Sequence, residues 1–372
     1  MFDNTSDANK AVATRFIEVF NTDAWDLLPE LVAPDFVLHH PMGGTMQLGP
    51  EGMAKVWSHF KAALPDSFHP IPVLITDGDY LANLLPTYGT FDGQPHQGIP
   101  PTGRWLEYGM VNLVRFEDGK IAEGWFGMDP LVELQQMGAA PMLPEREPTA
   151  FEQDNMDLYR TTFDQTDADL DTLAAFGEVV VALGPPQYVR DANTRWLDIY
   201  RVTNGRLNHM YSNEFPTKPP YGGNPTADTE LSRLVVKRFF EEVLAGHDLK
   251  MLSEIVSPDV LVHPTAMPCE ATFYGPLAVG RWLGEQWEAF PDLTLIEAHT
   301  IAQGDIVVTR WTAKGTSKGN FMMLPPTGEM VEFTGLSMYR IEDGLIAEIW
   351  DTRNTLGIMK QLNPNLGGDH HH

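Results

Sequence analysis

Apolar residues recur at three- and four-residue intervals near the start of the chain, at Val12, Phe16, Val19 and Phe20, and again far downstream at Leu234, Val235, Phe239 and Val243. That spacing lays one greasy stripe along a helix. Each stripe leads into a short second helix, then a Pro-Asp turn (Pro34-Asp35, Pro258-Asp259) and a strand ending at His39 or His263. A loop follows to Gly49-Pro50 or Gly275-Pro276, and then a third helix carrying Trp57 and Phe60, or Trp282, Trp287 and Phe290. Beyond this point each region reads as strands. The Glu-Asp-Gly triplets at 117–119 and 342–344 separate strand-like runs as tight hairpin turns, with glycine supplying the positive φ. Three helices followed by long strands predict an α+β fold: tandem cone-shaped domains, each with three helices packed on a curved antiparallel sheet around an apolar pocket.

The pattern is a duplication. LVRFEDGKIAEGW (113–125) and MYRIEDGLIAEIW (338–350) share Arg115/Arg340, Glu117/Glu342, Asp118/Asp343, Gly119/Gly344, Ile121/Ile346, Ala122/Ala347, Glu123/Glu348 and Trp125/Trp350. Pro34/Pro258, Pro65/Pro291 and Gly103/Gly328 keep almost the same separation, a register that chance does not maintain. Residues 1–140 form the first copy and 226–367 the second. Residues 141–225 are a divergent, truncated middle copy with Pro- and Gly-rich flanks. Its Trp196–Tyr211 stretch repeats the strand–turn–strand pattern, with Arg201 and Gly205 in the signature positions, after helical stretches expected around 155–163 and 170–176. Residues 368–372, ending in His370, His371 and His372, carry the mark of a purification tag. Two tethered copies are expected to pair through their sheets as an intrachain pseudo-dimer, and two chains could pair in the same way as a homodimer.

Charge narrows the partners. A formal net charge of −26 repels phosphate backbones and argues against nucleic acid. There is no apolar run long enough to cross a bilayer, and MFDNTSDANK lacks the basic start and apolar core of a signal peptide. The single Cys269 allows neither a disulfide framework nor a cysteine-based zinc site. A soluble cytoplasmic protein with a small-molecule substrate is the resulting expectation. No metal is expected either, since His39 and His40 lack helical i,i+4 spacing and a carboxylate cluster.

FPDL (290–293), GDIVVTRWTAKGT (304–316), LPPTG (324–328), YRIEDGLIAEIWD (339–351) and LGIMKQL (356–362) resemble SnoaL-like polyketide (ester) cyclases of the nuclear-transport-factor-2-like superfamily. The first copy shares IPPTG (99–103), RFEDGKIAEGW (115–125) and LVELQQMG (131–138). The resemblance implies cofactor-independent acid–base chemistry by a cyclase, isomerase or lyase acting on a small hydrophobic or aromatic carbonyl compound. It also leaves open retro-aldol or dehydration chemistry, or a non-catalytic binding or assembly role, because fold does not fix reaction.

Removing a proton beside a carbonyl needs a carboxylate or histidine within hydrogen-bond reach. The resemblance implies that Asp129, four residues after Trp125, is the acid–base group; alternatively it caps the helix opening at Pro130. Asp351, directly after Trp350, occupies another family position for an aspartate. His39 and His263 are placed at the pocket mouth, with alternation allowing only one of His39 and His40 to face the cone. Glu107, which matches Glu332, is a further carboxylate candidate. Trp105, Tyr88 and Trp311 are candidate ligand contacts. Asn112 and Ser337 stand where the resemblance implies a histidine, so they are read as substrate-binding groups. The first copy is the better catalytic candidate.

Overall fold

A computed structural model describes residues 4–41, 44–71, 73–138, 150–163, 172–176, 179–184, 194–203, 206–216, 223–264, 273–322 and 324–363. The chain divides into two compact units, one built from 1–142 together with 222–372, the other from 143–221.

In the first copy, helix α1 (Asn4–Thr22) and the single turn α2 (Leu28–Leu31) precede strands β1 (Val32–His40) and β2 (Gly44–Gln47). Helix α3 (Gly49–Ala63) then leads to β3 (Val73–Asp77), β4 (Tyr80–Phe91), β5 (Arg104–Glu117), β6 (Lys120–Gly127) and α4 (Pro130–Met137). The sheet runs in the order β2-β1-β6-β5-β4-β3. It is antiparallel except where β1 lies parallel to β6. Pro34 and Asp35 fall inside β1, where the register with β6 shifts between Val32 and Val37, so the expected turn is a bulge. Bulges of this kind bend a strand and tighten its twist. The β5–β6 hairpin turns on Asp118 and Gly119, both at positive φ (51° and 75°), which is the Asp-Gly solution for a two-residue turn.

Side chains on one face of the sheet meet α1, α2 and α3 in an apolar cluster that includes Phe16, Phe20, Leu28, Phe36, Leu38, Met53, Trp57 and Leu85. Phe16 and Phe20 pack on Trp57, with ring centroids 4.4 and 5.3 Å away. These are the residues of the sequence stripe, and burial of their aromatic area holds the helices on the sheet.

The middle segment comprises α5 (Ala150–Phe163) and strands β7 (Thr172–Phe176), β8 (Val179–Gly184), β9 (Thr194–Thr203) and β10 (Arg206–Pro216), in the order β10-β9-β8-β7. One helix followed by a four-strand antiparallel meander has the same element order as α3 through β6. Of the stretch expected to be helical at 170–176, the described residues 172–176 are instead strand β7. Its backbone pairs from Thr172 to Phe176 with β8, and a cross-strand partner outweighs the helix propensity of two alanines. Gly205 lies outside the described residues.

The second copy repeats the first: α6 (Thr229–Arg238, continuing in wider turns over Phe239–Leu244), α7 (Leu252–Ile255), β11 (Val256–Pro264), β12 (Phe273–Tyr274), α8 (Gly275–Ala289), β13 (Thr294–Gln303), β14 (Ile306–Thr316), β15 (Met330–Glu342), β16 (Leu345–Arg353) and α9 (Thr355–Leu362). Its sheet order is β12-β11-β16-β15-β14-β13.

Within the larger unit the outer faces of the two sheets meet. Val73, Ile75, Ala82, Leu84, Val111 and Leu113 of the first copy form one buried cluster with Ile301, Ile306, Val308, Leu336, Met338 and Trp350 of the second. Polar contacts flank it: Arg233 pairs with Asp77, Lys10 donates to Gln303 at 2.7 Å, and Asn354 Nδ2 donates to the Pro41 carbonyl at 2.9 Å. Among the described residues no helix is long and apolar enough to cross a membrane.

Candidate functional site

Strand alternation sends one set of side chains to the seam between copies and the other into the cone. In the first copy the inward set on β4 is Asn83, Leu85 and Thr87, and on β5 it is Tyr108, Met110, Asn112 and Val114. Together with α1, α3 and α4 they enclose a cavity of about 410 Å³, within the range of small-molecule sites.

Its walls are mostly apolar, so its few polar groups stand out. Glu133, on α4, is buried, and its Oε1 accepts a hydrogen bond from the Tyr108 hydroxyl at 3.1 Å. Burial pushes its carboxyl up to about 7, against the opposing pull of the Tyr108 hydrogen bond. The charged form is the one that desolvation penalises. Burial, and then the neighbouring Glu133 charge, raises the Tyr108 phenol well above its ordinary value. Across the sheet, Asn112 Nδ2 donates to Asn83 Oδ1 at 3.0 Å, and the Asn112 amide oxygen has no partner among the described residues.

Four histidines complete the lining: His40, His59, His69 and His96. The His69 backbone is clasped by Asn21 through two 2.9 Å bonds. Its Nδ1 lies 3.2 Å from the Pro86 carbonyl and 3.1 Å from the Thr87 hydroxyl. Burial lowers both His69 and His96 to about 4, and lowers His40 as well. These rings are therefore neutral at ordinary pH. The His59 and His96 rings lie 5.6 Å apart. Among the described residues no three His, Cys, Asp or Glu side chains converge as a metal site.

The sequence candidates are distributed differently from this set. Asn112 lines the cavity as expected, but His39 does not. Phe36, Leu38 and His40 share one face of β1, which puts His39 on the other. There its ring stacks on Trp125 at 5.1 Å, and its Nε2 lies 2.9 Å from Glu123. Glu123 also takes Arg115 Nε at 3.2 Å. His263 repeats the arrangement with Trp350, Glu348 and Arg340 at 5.3, 2.8 and 3.1 Å. The residues that made the repeat legible are thus a scaffold clasp on the back of each sheet.

Asp129 is buried and does not line the cavity. It is the N-cap of α4, accepting from the Leu131 N–H at 3.0 Å, and burial pushes it up to about 6. Its counterpart Asn354 caps α9 in the same way, accepting from the Gly357 N–H at 2.8 Å. Glu107 is exposed, with its backbone tied to the Gln136 side chain. Trp105 is largely exposed and stacks on Tyr88, centroids 6.3 Å apart, outside the cavity.

The second copy closes its cone around the remaining candidates. Its pocket is only about 50 Å³. Asn83 pairs with Asn112 and Leu85 with Met110, while Thr309 pairs with Ser337 and Trp311 with Gly335, which fixes the equivalences. Trp311 occupies the space over Gly335, where an added Cβ would meet the indole at 2.2 Å. Its Nε1 donates to Ser337 Oγ at 2.8 Å, and Ser337 donates in turn to Asp351 Oδ1 at 2.5 Å. Arg353 neutralises Asp351 through contacts of 2.6 and 3.1 Å. Two polar groups of the first cavity have apolar counterparts here: Phe333 for Tyr108 and Ile358 for Glu133, both buried in the core.

Sequence reasoning passed over Glu133 because LVELQQM reads as an ordinary amphipathic helix. The available signal was its difference from Ile358 at the same distance beyond the matched caps Asp129 and Asn354.

A family model described as SnoaL-like polyketide cyclase matches residues 10–137 and 234–362. The nogalonic acid methyl ester cyclase of Streptomyces nogalater is 28% identical over 123 residues, 33% of this chain and 91% of that protein. The solved structure of IdmH from Streptomyces antibioticus is similar at 28% identity, covering 35% of this chain and 97% of that one, with a TM-score of 0.32. A SnoaL-like structure from Jannaschia sp. CCS1 is similar at 21% identity over 38% of this chain and 97% of that one, with a TM-score of 0.35.

Proposed function

The chain belongs to the SnoaL-like polyketide cyclase family, and from that premise we propose that its first copy is a cofactor-independent acid–base enzyme, a cyclase, isomerase or lyase acting on a small hydrophobic or aromatic carbonyl compound. The observation that carries this reading is Glu133: a carboxyl with a pKa of about 7 in the wall of an apolar cavity, held by Tyr108. A group poised near the working pH can both take and return a proton. As carboxylate, Glu133 takes the proton from the carbon beside the substrate carbonyl; as carboxylic acid, it returns that proton to the enolate or to the oxygen formed in ring closure. The Asn83–Asn112 amides give the substrate polar anchor points. Low polarity strengthens every dipole in the cavity.

A binding role without turnover is favoured by Phe126, which lines the first cavity at the position where the second copy has Asp351. Incubation with aromatic β-dicarbonyl compounds in D₂O separates the readings. The enzyme speeds deuterium uptake at the acidic C–H above the uncatalysed rate, seen by NMR, and Glu133→Gln removes most of that acceleration. Saturable binding with exchange no faster than in buffer alone sinks the catalytic reading.

A further inference from the structure

Between the two copies lies a separate cleft of about 320 Å³. One side is formed by His39, Thr45 and Trp125 of the first copy, the other by Arg310, Thr334 and Arg353 of the second. It shares His40, Phe126 and Met128 with the first-copy cavity, which lies on their far side.

Its lining departs from the acidic character of the molecule. The chain has 51 acidic residues against 25 Lys and Arg, yet among the described residues no Asp or Glu lines this cleft, and Arg310 and Arg353 do. Arg353 is committed to Asp351. Arg310 is not committed: among the described residues its guanidinium makes no ion pair, and it rests over the Trp125 ring at 5.1 Å from the centroid. A guanidinium lying on an indole keeps its N–H edge for a planar acceptor.

The pseudo-symmetric position shows what the scaffold alone requires. Leu84 pairs with Val111 and Arg310 with Leu336, so Leu84 is the counterpart of Arg310, and Trp350 is the counterpart of Trp125. Leu84 and Trp350 are buried together in the apolar seam. A leucine there closes the interface, whereas an arginine opens a cleft and leaves a cation facing it.

We propose that this cleft is a second small-molecule site, which takes an organic carboxylate with an apolar body. The carboxylate meets the Arg310 fork, for which paired N–H donors are the matched geometry, and the body packs against Phe126, Met128 and Leu336. The site needs both copies and does not depend on the acid–base reading of Glu133.

Titration with benzoate, followed by the fluorescence of the native protein and by calorimetry, tests it, with benzamide and inorganic phosphate as comparison probes. Benzoate is expected to bind saturably, and benzamide and phosphate at least about tenfold more weakly, since each lacks one of the two features recognised. Arg310→Leu is expected to weaken benzoate at least about tenfold, and Arg281→Leu, on an exposed helix face, to leave it unchanged. Arg310→Gln serves if the leucine variant misfolds, because it keeps a polar stem without the charge. Glu133→Gln is expected to bind benzoate as the native protein does. Equal binding of benzamide or phosphate, undiminished binding by a folded Arg310 variant, or loss of binding in Glu133→Gln each overturns the proposal.

Discussion

The two cones share strand order, a capped C-terminal helix and the His–Glu–Arg–Trp clasp, yet one encloses about 410 Å³ and the other about 50 Å³. The difference is confined to side chains pointing inward. Tyr108, Glu133 and Met110 face Phe333, Ile358 and Gly335 at equivalent positions, and Trp311 fills the space that Gly335 leaves. Positions at which the copies agree build the frame; positions at which they disagree in polarity distinguish a hollow interior from a packed one. Duplication therefore supplies its own control, because one copy records what the fold needs when the cavity is lost.

The sharpest break in the comparison is Glu133→Gln. It should leave the fold intact while lowering proton-exchange activity by about two to four orders of magnitude, the usual worth of a general acid–base group, measured as initial deuterium incorporation. Almost as large in free energy, Trp311→Ala should destabilise the protein by about 3–5 kcal/mol through the cavity it leaves. It should also open the second cone to an apolar dye, read by thermal melts and dye uptake.

Stability against pH tests the same carboxyl without a substrate. Because the folded state raises Glu133 from its ordinary 4.5 to about 7, the folded protein binds its proton more tightly than the unfolded chain. That contribution is fully present below about pH 4.5 and is lost as pH rises through 7, at up to ~1.4 kcal/mol per unit across the window. Urea melts at a series of pH values should show Glu133→Gln removing this downward slope relative to the native protein. The smallest effect separates the neighbouring histidines. His39→Ala should cost about 1 kcal/mol or less, as loss of a part-exposed side-chain hydrogen bond does, with kcat unchanged. His40→Ala should shift KM or kcat at nearly constant melting temperature.

Much of the frame was readable in the sequence, because duplicated motifs and glycine turns are local signals. Arg115, Glu123 and Trp125 announced a repeated hairpin, and the Asp118-Gly119 turn has the backbone its residues dictate. The site was less legible for the same reason. Matching the copies selected His39 and His263, which are shared because they fasten the scaffold, whereas His40 stands opposite Pro264 and carried no repeat signal. Parity along Phe36, Leu38 and His40 held the answer. The Asp129-Pro130 pair is a local helix-start signal and does cap α4; that the cap lies off the cavity wall is a tertiary fact. Glu133 depends on burial by strands distant in sequence, which no local pattern reports.

The parallel pairing of β1 with β6 also bears on how the chain is made. Val37, Leu38 and His39 find their partners only at Glu123, Gly124 and Trp125, so the first sheet cannot close until nearly the whole copy has left the ribosome. Until then the apolar flank of α1 has the hairpins of β3 to β5 but not the completed floor beneath it. Long-range closure of this kind slows folding and leaves nascent apolar surface uncovered for longer. Substitutions that weaken the β1–β6 pairing should thus reduce the yield of soluble protein during synthesis more than they lower the stability of the finished molecule.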